Sequence, residues 1–90
     1  MYTVKLTNEF KKGLKRCKKR GLDISKVETA IKILRDTGSL PDEYRPHKLS
    51  GNRDGQWECH IQPDWLMVWI QDNNELVLLI LATGSHSDIF

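Results

Sequence analysis

The sequence has no lysine or arginine after Arg53. All 14 basic side chains lie in residues 1–53 against 6 acids, and residues 54–90 hold 6 acids and no basic group except histidine. The net charge of +2 therefore conceals a front segment at +8 and a back segment at −6. The front is the part suited to polyanions, and any cation the back requires must come from His60, His86 or a neighbouring stretch. Long apolar runs are missing as well. The run of large apolar side chains from Leu76 to Leu81 is six residues long, where a membrane span needs about 20, so no membrane partner is expected. The opening MYTVKLT lacks the apolar core of a secretory leader, and a cytoplasmic protein is expected. Cysteine is scarce: Cys17 and Cys59 have no CxxC spacing, which argues against a thiolate metal site or redox pair and reads as two small buried thiols.

With 39% hydrophobic residues and no repeat, linker or low-complexity segment, the 90 residues read as one domain, 1–90, with a thin core. Residues 2–6 alternate and are rich in β-formers, giving a first strand. Thr7 or Asn8 caps a helix over 8–20 whose buried stripe is Phe10, Leu14 and Cys17. Its other faces carry Lys11, Lys12, Lys15, Arg16, Lys18, Lys19 and Arg20, with only Glu9 to offset them. Like charges at that density cost helix stability, which favours a polyanionic or acidic partner for this surface. Gly21 ends the helix. Ser25 with Glu28 reads as a capping box for a second helix running to about Gly38, with Ile24, Val27, Ile31 and Leu34 as its apolar face.

Residues 39–56 are rich in turn formers and read as a loop with a short strand at His47–Leu49. Strands follow at about 56–62, 65–71 and 75–82, the last two joined by a turn at Asp72–Asn74. ELVLLILA is apolar on both faces, as a central strand covered on each side would be. The expected fold is α+β in the order β-α-α-β-β-β, two antiparallel helices on one face of a small antiparallel sheet. Alternation puts Glu58, His60 and Gln62 on one strand face and Trp57, Cys59 and Ile61 on the other. A polar strand face beside the histidine-bearing tail TGSHSDIF is the candidate site.

The segments HKLSG, ECHIQPDWLMVW and TGSHSDIF, taken together, resemble the YafQ-like toxins of the RelE/ParE toxin–antitoxin superfamily. The resemblance spans the whole chain and includes the element order. It implies a RelE-like fold and a ribosome-dependent endoribonuclease that cuts messenger RNA by attack of the ribose 2′-OH, without metal or cofactor. It also implies a DinJ- or RelB-like antitoxin as partner, with operator DNA contacted only through that antitoxin. The family's functional residues fall on His47, His60, Asp64, Trp65, His86 and Phe90. The roles that follow are His86 as general acid, Asp64 as base or orienting group, and His47 and His60 at the phosphate. Trp65 and Phe90 would stack on nucleobases, and the cations of the first helix would grip the ribosome.

One position departs from the family pattern. Ala82 stands where the family has arginine before Thr-Gly, so the phosphate's cation must come from Arg45, Lys48 or Arg53, or activity is weakened. The rival readings are a catalytically impaired binder of antitoxin and a gyrase-binding toxin like the ParE branch, against which His47, His60 and His86 argue.

Overall fold

The computed structural model describes every residue, Met1–Phe90. In chain order it forms β1 (Thr3–Leu6), α1 (Asn8–Lys19), α2 (Ser25–Thr37), β2 (His47–Lys48), β3 (Trp57–Gln62), β4 (Trp65–Asp72), β5 (Val77–Gly84) and α3 (His86–Ile89). The strands make one sheet in the order β1-β5-β4-β3-β2. Neighbours from β2 to β5 are antiparallel, but β1 pairs with β5 in parallel, Thr3 opposite Val77 through Leu6 opposite Ile80. The sheet is therefore mixed, not purely antiparallel: the chain leaves β1 through two helices, a crossover long enough to return any later strand alongside it.

Thr7 caps α1 by accepting from the Phe10 N–H at 3.0 Å. The expected Ser25–Glu28 box on α2 is not formed. Ser25 is already helical, and its N–H and hydroxyl both donate to Asp23 Oδ1, a tighter local partner that draws the serine away from the cap. Gly21 and Gly38 end the two helices with φ of 84° and 78°, the left-handed conformation glycine adopts without strain. α1 and α2 bury Phe10, Cys17, Val27, Ala30 and Leu34 against Cys59, Trp65, Met67, Trp69, Leu78 and Ile80 of the sheet. Both thiols are free and buried.

The helices cover one sheet face only. β5 is central, as expected, but Val77, Leu79 and Leu81 on its other side are half-buried, so it is not covered on both faces. That other face matters for function. Across it run His47–Glu58–Val68–Ala82 and His60–Leu66–Gly84 as cross-strand neighbours. Leu66 and Val68 are fully buried there, a small apolar floor separate from the main core. No helix is long and apolar enough to cross a membrane.

Candidate active site

The site assembles on that second face, where β3, the β3–β4 turn and α3 meet. His47 and Glu58 are partners across β2 and β3, and His60 lies two residues further along β3 on the same side. Glu58 is 5% exposed, with Oε1 3.3 Å from His47 Nε2 and 3.9 Å from His60 Nε2. Each ring is fixed at its other nitrogen: His47 Nδ1 lies 2.9 Å from the Arg45 carbonyl, and His60 Nδ1 lies 3.1 Å from the Pro63 carbonyl. A carbonyl only accepts, so both Nδ1 atoms carry hydrogen and both Nε2 atoms are left for chemistry beside the Glu58 carboxylate. Arg45 turns the chain in the left-handed region at φ 51°, an uncommon conformation for a residue with a side chain, and thereby aims its carbonyl at His47.

His86 opens α3. Its Nδ1 is 2.9 Å from Asp64 Oδ1, and its backbone N–H donates to the same oxygen at 3.2 Å. These two bonds hold the Asp64 carboxyl below the usual carboxylate range, the side-chain bond contributing most. With Nδ1–H committed to Asp64, Nε2 of His86 is the free edge of the ring. Ring centroids run in a chain: His47 to His60 at 6.4 Å, His60 to His86 at 6.2 Å, His86 to Phe90 at 6.1 Å. Three imidazoles thus line one surface, with Glu58 buried beside the first two and the exposed Asp64 paired to the third.

Of the residues expected here, His47, His60, Asp64, His86 and Phe90 come together. Phe90 is 56% exposed, with the Arg53 guanidinium 4.8 Å from its ring centroid. Arg53 reaches the tail: it donates to the Ile89 carbonyl at 2.8 Å and to Gln56 at 3.1 Å. It also lines a cleft of about 360 Å³ that includes Ala82, beside Arg16. Ala82 faces the site because the β4–β5 register slips: Val68 opposes Ala82 whereas Trp69 opposes Ile80.

Three expectations fail. Trp65 is 2% exposed within the main core, its indole N–H donating to Thr83 Oγ1 at 3.0 Å, so it offers no face to a nucleobase. Lys48 pairs with Trp57 and lies over that ring at 5.6 Å, on the sheet face opposite His47, so strand alternation carries it away from the site. Gln62 leaves the Glu58–His60 row because the register slips after His60 and sets it opposite Trp65. On α1, Lys11, Lys12, Lys15, Lys18 and Lys19 are exposed, whereas Arg20 and Arg16 are drawn to Asp88. Sequence reasoning placed Glu58 on the polar face without giving it a role, and passed over Asp88. Glu58 was signalled by its place on the polar strand face, but Asp88 by nothing beyond its nearness to His86.

The model of the family described as the bacterial toxin of type II toxin–antitoxin systems, YafQ, matches residues 2–90. The chain belongs to the YafQ family of type II toxins. It is similar to the mRNA interferase toxin YafQ of Escherichia coli K12, at 27% identity over 88 residues, 97% of this chain and 94% of that protein. The E. coli DinJ–YafQ complex contains a chain that superposes with a TM-score of 0.89 at 26% identity, over 100% of this chain and 99% of that one. A metal-bound toxin from Helicobacter pylori superposes with a TM-score of 0.89 at 32% identity, over the whole of both chains. In this YafQ-family chain no three His, Cys, Asp or Glu side chains stand grouped as metal ligands.

Proposed function

We propose that this YafQ-family toxin is a ribosome-dependent endoribonuclease that cuts messenger RNA and is held inactive by a DinJ- or RelB-like antitoxin, through which alone it meets operator DNA. Support for the activity comes from the E. coli relative named an mRNA interferase, and support for the partner from the DinJ–YafQ complex. The observation that carries the chemistry is the His86–Asp64 pair, which leaves His86 Nε2 free at an exposed ring.

The reaction balances on the chain's own groups. His60 Nε2 takes the proton of a ribose 2′-OH, the 2′ oxygen bonds to the adjacent phosphorus, and the bond from phosphorus to the 5′ oxygen breaks. His86 Nε2–H gives its proton to that departing oxygen, leaving a 2′,3′-cyclic phosphate. Asp64 orients His86 and stabilises its imidazolium, in place of acting as base. His47 and Arg53 supply charge at the phosphate, Arg53 standing in for the arginine absent at Ala82. Phe90 offers its open ring area to a base. The five exposed lysines of α1 meet the ribosome's phosphates.

Primer extension on a messenger RNA in a bacterial translation extract tests this. Cuts at defined codon positions that require translating ribosomes are expected, reduced about 10²–10⁴-fold in His86→Ala, the range for loss of a general acid. Ala82 favours one second reading, a catalytically silent binder of antitoxin. An Ala82→Arg variant discriminates: folded protein that makes no cuts with either Ala82 or arginine there overturns the nuclease and leaves the binder.

A further inference from the structure

α3 is a single turn of four residues. A first helical turn fixes several dihedrals for one hydrogen bond and does not persist unaided. The contacts made by α3 therefore decide where His86 stands, and they converge on Asp88. Its carboxylate accepts from the Ser85 N–H at 2.9 Å, while the Ser85 hydroxyl accepts from the Asp88 N–H at 3.2 Å, a reciprocal cap. The same carboxylate takes both terminal nitrogens of Arg20, at 2.6 and 3.1 Å, and lies 3.7 Å from Arg16 one turn earlier on α1. Gly84 makes the space, since a Cβ there would stand 2.7 Å from Asp88 Oδ2 and 2.9 Å from its Cβ. An ordinary surface ion pair holds little in place. This one is two-pronged, joined to a cap, and only 13% of the Asp88 side chain is exposed, and a forked guanidinium contact of that kind fixes direction as well as distance.

We propose that Asp88, gripped by Arg20, is a positioning residue that sets His86 for its proton transfer, so the end of α1 serves the reaction as well as the basic surface. The inference rests on the nuclease reading above. Arg20 acts through Asp88 and α3, not on the substrate. A displacement of about 1 Å at a proton donor is enough to cost about 10²-fold in rate.

The test compares Asp88→Asn, Arg20→Asp and the conservative Asp88→Glu with the unaltered protein. Cleavage at saturating ribosomes and the half-saturating concentration are measured separately, and amide hydrogen exchange is followed at Asp88, Ile89 and Phe90 of the free protein. Asp88→Asn is expected to slow saturated cleavage about 10–100-fold with half-saturation unchanged, Arg20→Asp to slow it similarly, and both to speed tail exchange. Asp88→Glu, which keeps a carboxylate for both the Ser85 N–H and Arg20, is expected to retain most of the rate. Full-rate cleavage by Asp88→Asn, a loss confined to half-saturation, or an Asp88→Glu variant no faster than Asp88→Asn overturns the proposal. Should the unaltered protein not cut, the nuclease reading fails on its own; faster tail exchange in the variants then still upholds the grip on α3, and unchanged exchange overturns it.

Discussion

Glu58 is the residue on which two ring nitrogens converge, and its burial beside them makes it more than a strand-face polar group. A carboxylate shielded from water acts on neighbouring charge far more strongly than one in solvent. Glu58→Gln keeps the shape and removes the charge. It is expected to lower cleavage about 10²-fold, comparable to losing one preorganised electrostatic group, with thermal stability checked in parallel; cleavage within threefold or so of the unaltered protein would remove Glu58 from the chemistry. The residue types of this site are legible in the sequence, because histidine is the side chain that exchanges protons near neutrality. Trp65 was not. The β4 sequence WLMVWI is apolar on both faces, so alternation gives no direction for any of its members, and only the packing of α1 and α2 decides that Trp65 points inward.

At the scale of elements, α1 lies close upon β5 at Gly13. A Cβ on Gly13 would collide with the Thr83 carbonyl oxygen, and Thr83 also accepts from Trp65 and donates to the Leu66 carbonyl at 2.7 Å. Alanine in place of glycine favours a helix by about 0.5–1 kcal/mol, whereas overpacking a tight contact costs about 1–3 kcal/mol, so the clash prevails. Gly13→Ala is expected to lower Tm by roughly 5–15 °C; a Tm unchanged or raised in calorimetry would show that the helix can lift away freely. The single turn of α3 reads only as a tail, whereas the two long helices, their order and the strand count in the second half follow from periodicity in the sequence. The two register slips do not. Plain alternation sets Leu78, Ile80 and Ala82 on one face, and the slip beside Leu81 turns Ala82 to the other, over the site. Such a slip depends on cross-strand partners that no local pattern specifies.

For the whole molecule, acid is the discriminating perturbation. Asp23, Asp36, Asp64 and Asp88 are all held below the ordinary carboxylate value of 3.8, by Ser25, by Lys32 and Arg35, by His86, and by Arg20 respectively. Each releases its proton more readily folded than unfolded. Each therefore contributes stability that is fully present above the unfolded value and is withdrawn as pH falls through the folded one. Urea midpoints are expected to hold nearly level from about pH 7 to about pH 5 as far as these groups decide it, and to fall below about pH 4. Two of the four, Asp64 and Asp88, fasten the tail, so protection of the Ile89 and Phe90 amides, taken relative to their intrinsic exchange rates at each pH, should fall in acid before that of the sheet amides. A midpoint that climbs on acidification below pH 4 would contradict the assignment.

The parallel seam between β1 and β5 also sets an order of assembly. β5 lies in the sheet between β1 and β4, yet it follows both in the chain, and Thr3 must wait for Val77. Contacts so distant in sequence are among the last to form. While the chain is being translated, β1 to β4 emerge without the strand that joins β1 to the rest, and His86, which follows β5, emerges later still. A nascent copy of this chain therefore has no assembled site until β5 and the tail behind it have been released.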